Sequence, residues 1–307
     1  MMRQKPQTIL FVLCAGLLLS CTALAGPINL SEVPADAVWA AHLDMEKLVT
    51  SRIAELFLAE LDDRGELEKI NAFGTVFEFN PLQDLYSVTA YGTSFLKEEA
   101  VGLIKGRIDK EKVLALMQME GTQTKISHGE STIHKWVKGS ECFFVCFFKQ
   151  GLVVFSNSLD LTKGALRVLG GESESLDDGG TLRDLRSLPE GTFFTAAVNG
   201  FGEIAGLDPE AAILKKAEKA VVAIGEVEGT DFVNVSLTAA DEATATQIHA
   251  VAQGILALGS MMGDQEPELA RLVQSARLTR EGRTITLRET QPADELMKLF
   301  KGSMKGL

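Results

Sequence analysis

The chain predicts an α+β fold of two similar lobes, each a largely antiparallel sheet with helices packed on it. Three observations point there. Strand-length apolar runs follow one another across short turns, as at Gly229-Thr230 and Glu281-Gly282, which is how antiparallel neighbours are joined. Segments with apolar residues at helical spacing punctuate those runs. An opening also recurs: Val33-Pro-Ala-Asp36 leads into Ala37-Val-Trp-Ala-Ala41, and Leu188-Pro-Glu-Gly191 leads into Thr192-Phe-Phe-Thr-Ala-Ala-Val198. The expected division is a signal peptide over 1–25, a first α+β repeat over 26–170, a linker over 171–187 and a second α+β repeat over 188–307.

Arg3 and Lys5 precede an apolar segment from Ile9 to Leu19, and Ala23-Leu-Ala25 puts small residues where signal peptidase cuts. That is the pattern of a secretory leader; the segment falls short of the about 20 apolar residues a membrane span needs. Leu18-Leu-Ser-Cys21 resembles the bacterial lipobox, so a lipid anchor at Cys21 stands as the alternative to cleavage after Ala25. The expectation is an exported protein, periplasmic or extracellular, or lipid-anchored to the cell envelope, with no transmembrane span in the mature chain.

In the first repeat, Ala37 to Leu43 reads as a strand. Met45, Leu48, Val49, Ile53, Leu56, Phe57 and Leu61 recur at helical spacing and predict one amphipathic helix to about Asp63. An irregular stretch to Asn80-Pro81 precedes strands at Leu85 to Tyr91 and Ala100 to Ile108. Asp109 caps a helix carrying Val113, Leu114 and Met117 that ends at Gly121. Strands near Thr124 to Val137, Glu141 to Phe148 and Gly151 to Ser156 follow, then a helix from Leu159 to Leu169. The Glu141 strand is apolar on both faces, which predicts a central strand covered on both sides, by a helix layer and by the second repeat.

The run from Gly170 to Gly180, rich in glycine, serine and acid, is the clearest composition break and reads as a solvated linker. The second repeat offers a strand at Thr192 to Val198, a helix over Phe201 to Lys219, and strands Ala220 to Glu228 and Asp231 to Ala239. Helices over Asp241 to Gly259 and Glu266 to Ser275 follow, then a hairpin and a last helix from Pro292 to about Lys301. The most apolar run, Ile248 to Met262, is interrupted by His249 and Gln253 and reads as a buried core helix.

Losing Arg3 and Lys5 with the leader takes the formal net charge from −12 to −14. Such a chain repels phosphate backbones, which argues against nucleic-acid binding. Cys142 and Cys146 lie four residues apart on one strand, about 13 Å between Cα atoms, too far for a disulfide; they read as small buried apolar residues.

No local pattern of catalytic, cofactor-binding or metal-ligating residues stands out. Gly200-Phe-Gly202-Glu-Ile-Ala-Gly206 after a strand, with Glu226 beyond, approaches a dinucleotide fingerprint, but the glycine spacing is one residue off and parallel crossovers are missing. Ser94-Phe-Leu-Lys97 matches the Ser-x-x-Lys string of acyl-transferring enzymes without its companion motifs. Glu172, Glu174, Asp177 and Asp178 lack the order of a calcium loop. His42, His128, His134 and His249 are not spaced as metal ligands. Asn29 and Asn234 begin glycosylation sequons that matter only in a eukaryotic secretory pathway.

Lys105-Gly-Arg-Ile-Asp109 running into its capped helix, and Leu152-Val-Val-Phe-Ser-Asn-Ser158 with the helix through Ala165, Leu166 and Leu169, resemble a loose family of exported bacterial proteins of unknown function built from duplicated α+β units. The resemblance implies a shape and no catalytic residues. The functional expectation is an acidic, non-enzymatic protein acting through binding or envelope assembly, its partner an unknown protein or an apolar ligand. Two alternatives stand beside it: a carrier of an apolar ligand or lipid, with its pocket between the Ile248 to Met262 helix and the sheet, and a hydrolase whose site leaves no local motif.

Overall fold

The computed structural model describes residues 26–96, 99–149, 151–200, 216–261 and 267–304. The signal peptide, Cys21, Lys97 and most of the glycine-rich stretch after Gly200 lie outside the described residues.

The strands are β1 (Trp39–Asp44), β2 (Leu85–Gly92), β3 (Ala100–Gly106), β4 (Thr122–His128), β5 (Ser131–Lys138), β6 (Glu141–Lys149), β7 (Leu152–Ser156), β8 (Thr192–Asn199), β9 (Ala217–Val227), β10 (Thr230–Ala239), β11 (Arg277–Glu281) and β12 (Thr284–Pro292). They form one 12-stranded sheet in the order β11-β12-β10-β9-β8-β1-β2-β3-β7-β6-β5-β4, with antiparallel pairing throughout. The α+β class and the antiparallel sheet are as the sequence predicts. The strands of the two halves do not make two sheets: β1 pairs with β8, Ala41 opposite Ala196, so the sheet runs through the seam.

The helices are α1 (Met45–Val49), α2 (Arg52–Asp63), α3 (Glu66–Phe77), α4 (Pro81–Asp84), α5 (Lys110–Glu120), α6 (Leu159–Leu169), α7 (Glu242–Met261), α8 (Pro267–Ser275) and α9 (Ala293–Met304). The single helix expected over Met45 to Asp63 is two. Thr50 Oγ1 donates back to Glu46 O at 2.8 Å, and the Ser51 side chain caps α2 by accepting from Ala54 N at 3.2 Å; hydroxyls at that position end one helix and start the next. The stretch after Asp63, expected to be irregular up to Asn80-Pro81, forms helix α3, and the single strand expected over Thr124 to Val137 is the β4–β5 hairpin, which turns at Gly129-Glu130. The helix expected to reach Lys219 does not, since β9 begins at Ala217.

One face of the sheet carries the main core. Ala40, Tyr91, Val101, Leu103, Val154, Cys146 and Ile133 line it in register, with Ala165 and Leu166 of α6 above. Leu176, Leu182 and Leu185 complete that core, at 0%, 0% and 2% exposure. The linker is therefore also part of the interior. Leu176 N donates to Val33 O at 2.8 Å and Ala35 N to Glu174 O at 3.1 Å, tying it to the N-terminal segment. Its carboxylates Glu172, Glu174, Asp177 and Asp178 face solvent.

On the other face α7 meets Leu237, Leu278 and Ile285 through Ala245 and Ile248. The expected burial of Ile248 to Met262 holds only in part: Ile255 and Leu258 are 64% exposed and Met261 82%, and Met262 lies outside the described residues. The first turns of α7 pack on the sheet, and the helix end leans on α8 at Gly259, where an added Cβ would lie 2.8 Å from Val273 Cγ2. Among the described residues the second half of the chain does not cover β6. It continues the sheet edgewise from β1, while α6 covers one face of β6 and Phe147 on the other face looks toward α5.

A carboxylate from the second half anchors a helix of the first. Glu226 Oε1 and Oε2 accept from Arg52 N at 2.8 Å and Ile53 N at 2.9 Å, the first two N–H groups of α2. An anion there satisfies two orphan donors and favours the helix dipole. Glu226→Ala is expected to cost about 1–2 kcal/mol, seen as a lower urea midpoint; an unchanged midpoint would show that the anchor contributes nothing.

Candidate functional site

The pattern of β2, β3 and β7 builds an apolar cavity. Val88, Ile104, Val153 and Phe147 are cross-strand neighbours on one face. α5, capped by Asp109 Oδ1 accepting from Glu111 N at 2.9 Å and Lys112 N at 3.1 Å, holds Val113 and Leu116 over them. Phe79, Leu85 and Ile108 close the rest, leaving about 350 Å³. That is more than twice the roughly 150 Å³ of a dry apolar cavity that admits benzene, and at the lower end of small-molecule pockets. Three charged residues lie at its lining: Glu78, Asp109 and Lys112. Lys112 pairs with Glu78, whose φ of 48° is left-handed. A ligand here meets hydrocarbon with charges only at the rim.

A second apolar hollow of about 350 Å³ lies among α1, α2 and α9, lined by Leu48, Ile53, Phe57, Leu61 and Met297 and by no polar surface. Both hollows lie away from the α7 surface where the sequence placed a carrier pocket.

A polar cleft of about 850 Å³ opens at the seam, where β1, β8 and β9 end. Its groups are largely occupied within the fold. His42 uses both ring nitrogens, Nδ1 with Thr89 Oγ1 at 2.8 Å and Nε2 with Gly26 O at 3.0 Å, and burial pushes its pKa down. Thr195 Oγ1 donates to Val222 O at 2.9 Å, and Lys47 Nζ to Thr192 O at 3.3 Å. Glu226 serves α2.

The other residues weighed in the sequence are dispersed. Cys142 and Cys146 are free thiols on one face of β6, and burial pushes Cys146 up. Ser94 Oγ donates to Glu99 at 2.5 Å; Lys97 lies outside the described residues. His134 is buried against Phe147, 6.0 Å between ring centroids, with its pKa lowered by burial and by Lys110 and Lys125. His249 sits half-buried on α7. Asn29 caps a 3₁₀ turn by accepting from Ser31 N at 3.2 Å. Among the described residues no group of three or more His, Cys, Asp or Glu could hold a metal ion, and no helix is long and apolar enough to cross a membrane. The apolar cavity was missed because its walls come from four separate segments, each an ordinary core pattern by itself.

No family model matches the chain, and no curated protein does. Solved structures do. Crystal form III of TP0453 aligns at a TM-score of 0.51 with 10% identity, covering 90% of this chain and 99% of that one. Crystal form I aligns at 0.48 with 12% identity, covering 91% and 98%, and crystal form IV at 0.47 with 11%, covering 92% and 98%. At such identity the likeness is one of fold: an α+β chain similar in architecture to TP0453 crystal form III over nearly its whole length.

Proposed function

We propose that this is a non-enzymatic, exported binding protein whose ligand is apolar, held in the cavity between α5 and the sheet. One observation carries the reading: a hollow of about 350 Å³ walled by Val88, Ile104, Ile108, Leu116, Phe147 and Val153. Interiors pack to near-crystalline density, and an apolar void forfeits dispersion contacts unless something occupies it. Export rests on the leader pattern of Arg3, Lys5 and Ala23 to Ala25. We also read the chain as a duplication of one α+β unit: β1-β2-β3-β7-β6 and β8-β9-β10-β12-β11 repeat one strand order, with the β4–β5 hairpin added in the first half.

Native mass spectrometry of protein purified from its own host is expected to show a co-purifying apolar molecule. Ile104→Trp, which fills the cavity, is expected to weaken the apolar fluorophore N-phenyl-1-naphthylamine at least about tenfold with the circular dichroism spectrum unchanged. Apolar mass missing from the purified protein, together with equal dye binding by both proteins, would refute the reading.

A further inference from the structure

On the opposite face of the sheet, between β2, β3, α6 and the N-terminal segment, lies a cleft of about 440 Å³. Tyr91 lines it. The residue is 2% exposed, and its Oη has no hydrogen-bond partner. A buried hydroxyl left unpaired costs about 1–3 kcal/mol, so such a group on a residue that lines a cleft calls for a partner. Burial first, then the carboxylates of Asp36 and Glu32, push the Tyr91 pKa up, which keeps the hydroxyl neutral. Glu32 is engaged by Lys105 at 2.8 Å; Asp36 lines the cleft itself.

The lining is lopsided in charge. Asp36, Asp160 and Glu174 supply carboxylates against one cation, Arg167, on a protein that is already acidic. An anion is repelled here and a cation concentrated. Val101 and Leu161 give the cleft an apolar wall. At Gly164 an added Cβ would meet only Arg167, 3.8 Å away, so the α6 backbone is open to the cleft. The volume suits a molecule of modest size.

We propose that this cleft binds a small organic cation, an alkylammonium whose N–H groups donate to Tyr91 Oη and to the Asp36 carboxylate while its alkyl part lies on Val101 and Leu161. The site is separate from the apolar cavity and stands without it. Titration calorimetry of the full chain with putrescine, and with 1,4-butanediol and succinate as neutral and anionic counterparts, tests it. Putrescine is expected to saturate, to weaken as salt is raised, and to outbind both counterparts. Tyr91→Phe and Asp36→Asn are each expected to weaken it about tenfold, the loss of one hydrogen bond to a charged group. Tyr91→Phe without ligand is expected to melt higher than the parent, because the unpaired hydroxyl is gone. Asp36 is exposed, so its variant folds whatever Tyr91→Phe does. The proposal is overturned if putrescine fails to saturate by about 10 mM, if both variants bind it as the parent does, or if succinate binds as well.

Discussion

Asp231→Asn is expected to make the protein more stable above neutral pH and to flatten the loss of stability between about pH 4 and pH 7. Asp231 is 4% exposed on β10, and neither of its carboxylate oxygens has a hydrogen-bond partner. Its register neighbours are Glu226 on β9 and Gln291 on β12, and Glu289 shares the face. Burial, then Glu226 and Glu289, push the Asp231 carboxyl up to about 7 from its ordinary 3.8. Glu289 is itself raised by burial, while Ser275 Oγ donates to it at 3.0 Å.

The sign follows from proton counting. Between the unfolded value near 3.8 and the folded value near 7, the folded chain keeps a proton that the unfolded chain releases, so stability falls as pH rises through that window and levels off above it. At about 1.36 kcal/mol per pH unit the fall is bounded near 4 kcal/mol, and relaxation around the buried group brings the expectation to about 2–4 kcal/mol. Urea unfolding at several pH values for both proteins checks it. The difference between the two curves isolates Asp231 from the exposed carboxylates that titrate in both. Parallel curves would mean that the carboxyl is ionised in the folded protein at no cost.

Leu176→Ala and Leu182→Ala, in the segment that joins the halves, are each expected to cost about 3 kcal/mol. Both side chains are fully buried in the main core beside Val33, Leu30 and Leu166. Truncation removes transfer free energy and leaves a cavity that close-packed neighbours fill only in part. A solvated linker would lose less than about 0.5 kcal/mol at either position. Urea midpoints within that smaller margin would show that these leucines do not contribute to the core.

Much of the fold was legible because its signals are local. The Asp109 cap of α5 is an ordinary start signal, found where the pattern places it, and α6 spans the expected Leu159 to Leu169. The hairpin turns at Gly229 and Gly282 take left-handed φ values of 74° and 54°, which glycine adopts without strain. The linker leucines were harder to see. Leu176 stands among Glu174, Ser175, Asp177 and Asp178, and composition averages over a window while burial is decided one side chain at a time. Ile248 to Met262 erred in the other direction: its apolar content was plain, but how far a helix reaches over a sheet depends on what else occupies that face.

Sequence alone determined the α+β class, the antiparallel pairing and most strand and helix positions, because periodicity, caps and turns act over a few residues; it left α3 as irregular chain and read the β4–β5 hairpin as one strand. Only the tertiary structure decided that β1 and β8 meet, that Glu226 seats α2, that Asp231 is sealed beside two other carboxylates, and where the cavity and the Tyr91 cleft lie. The physical reason is that every strand edge presents the same N–H and C=O groups. Which edges pair, and which side chains that pairing buries together, is settled by the packing of the whole chain.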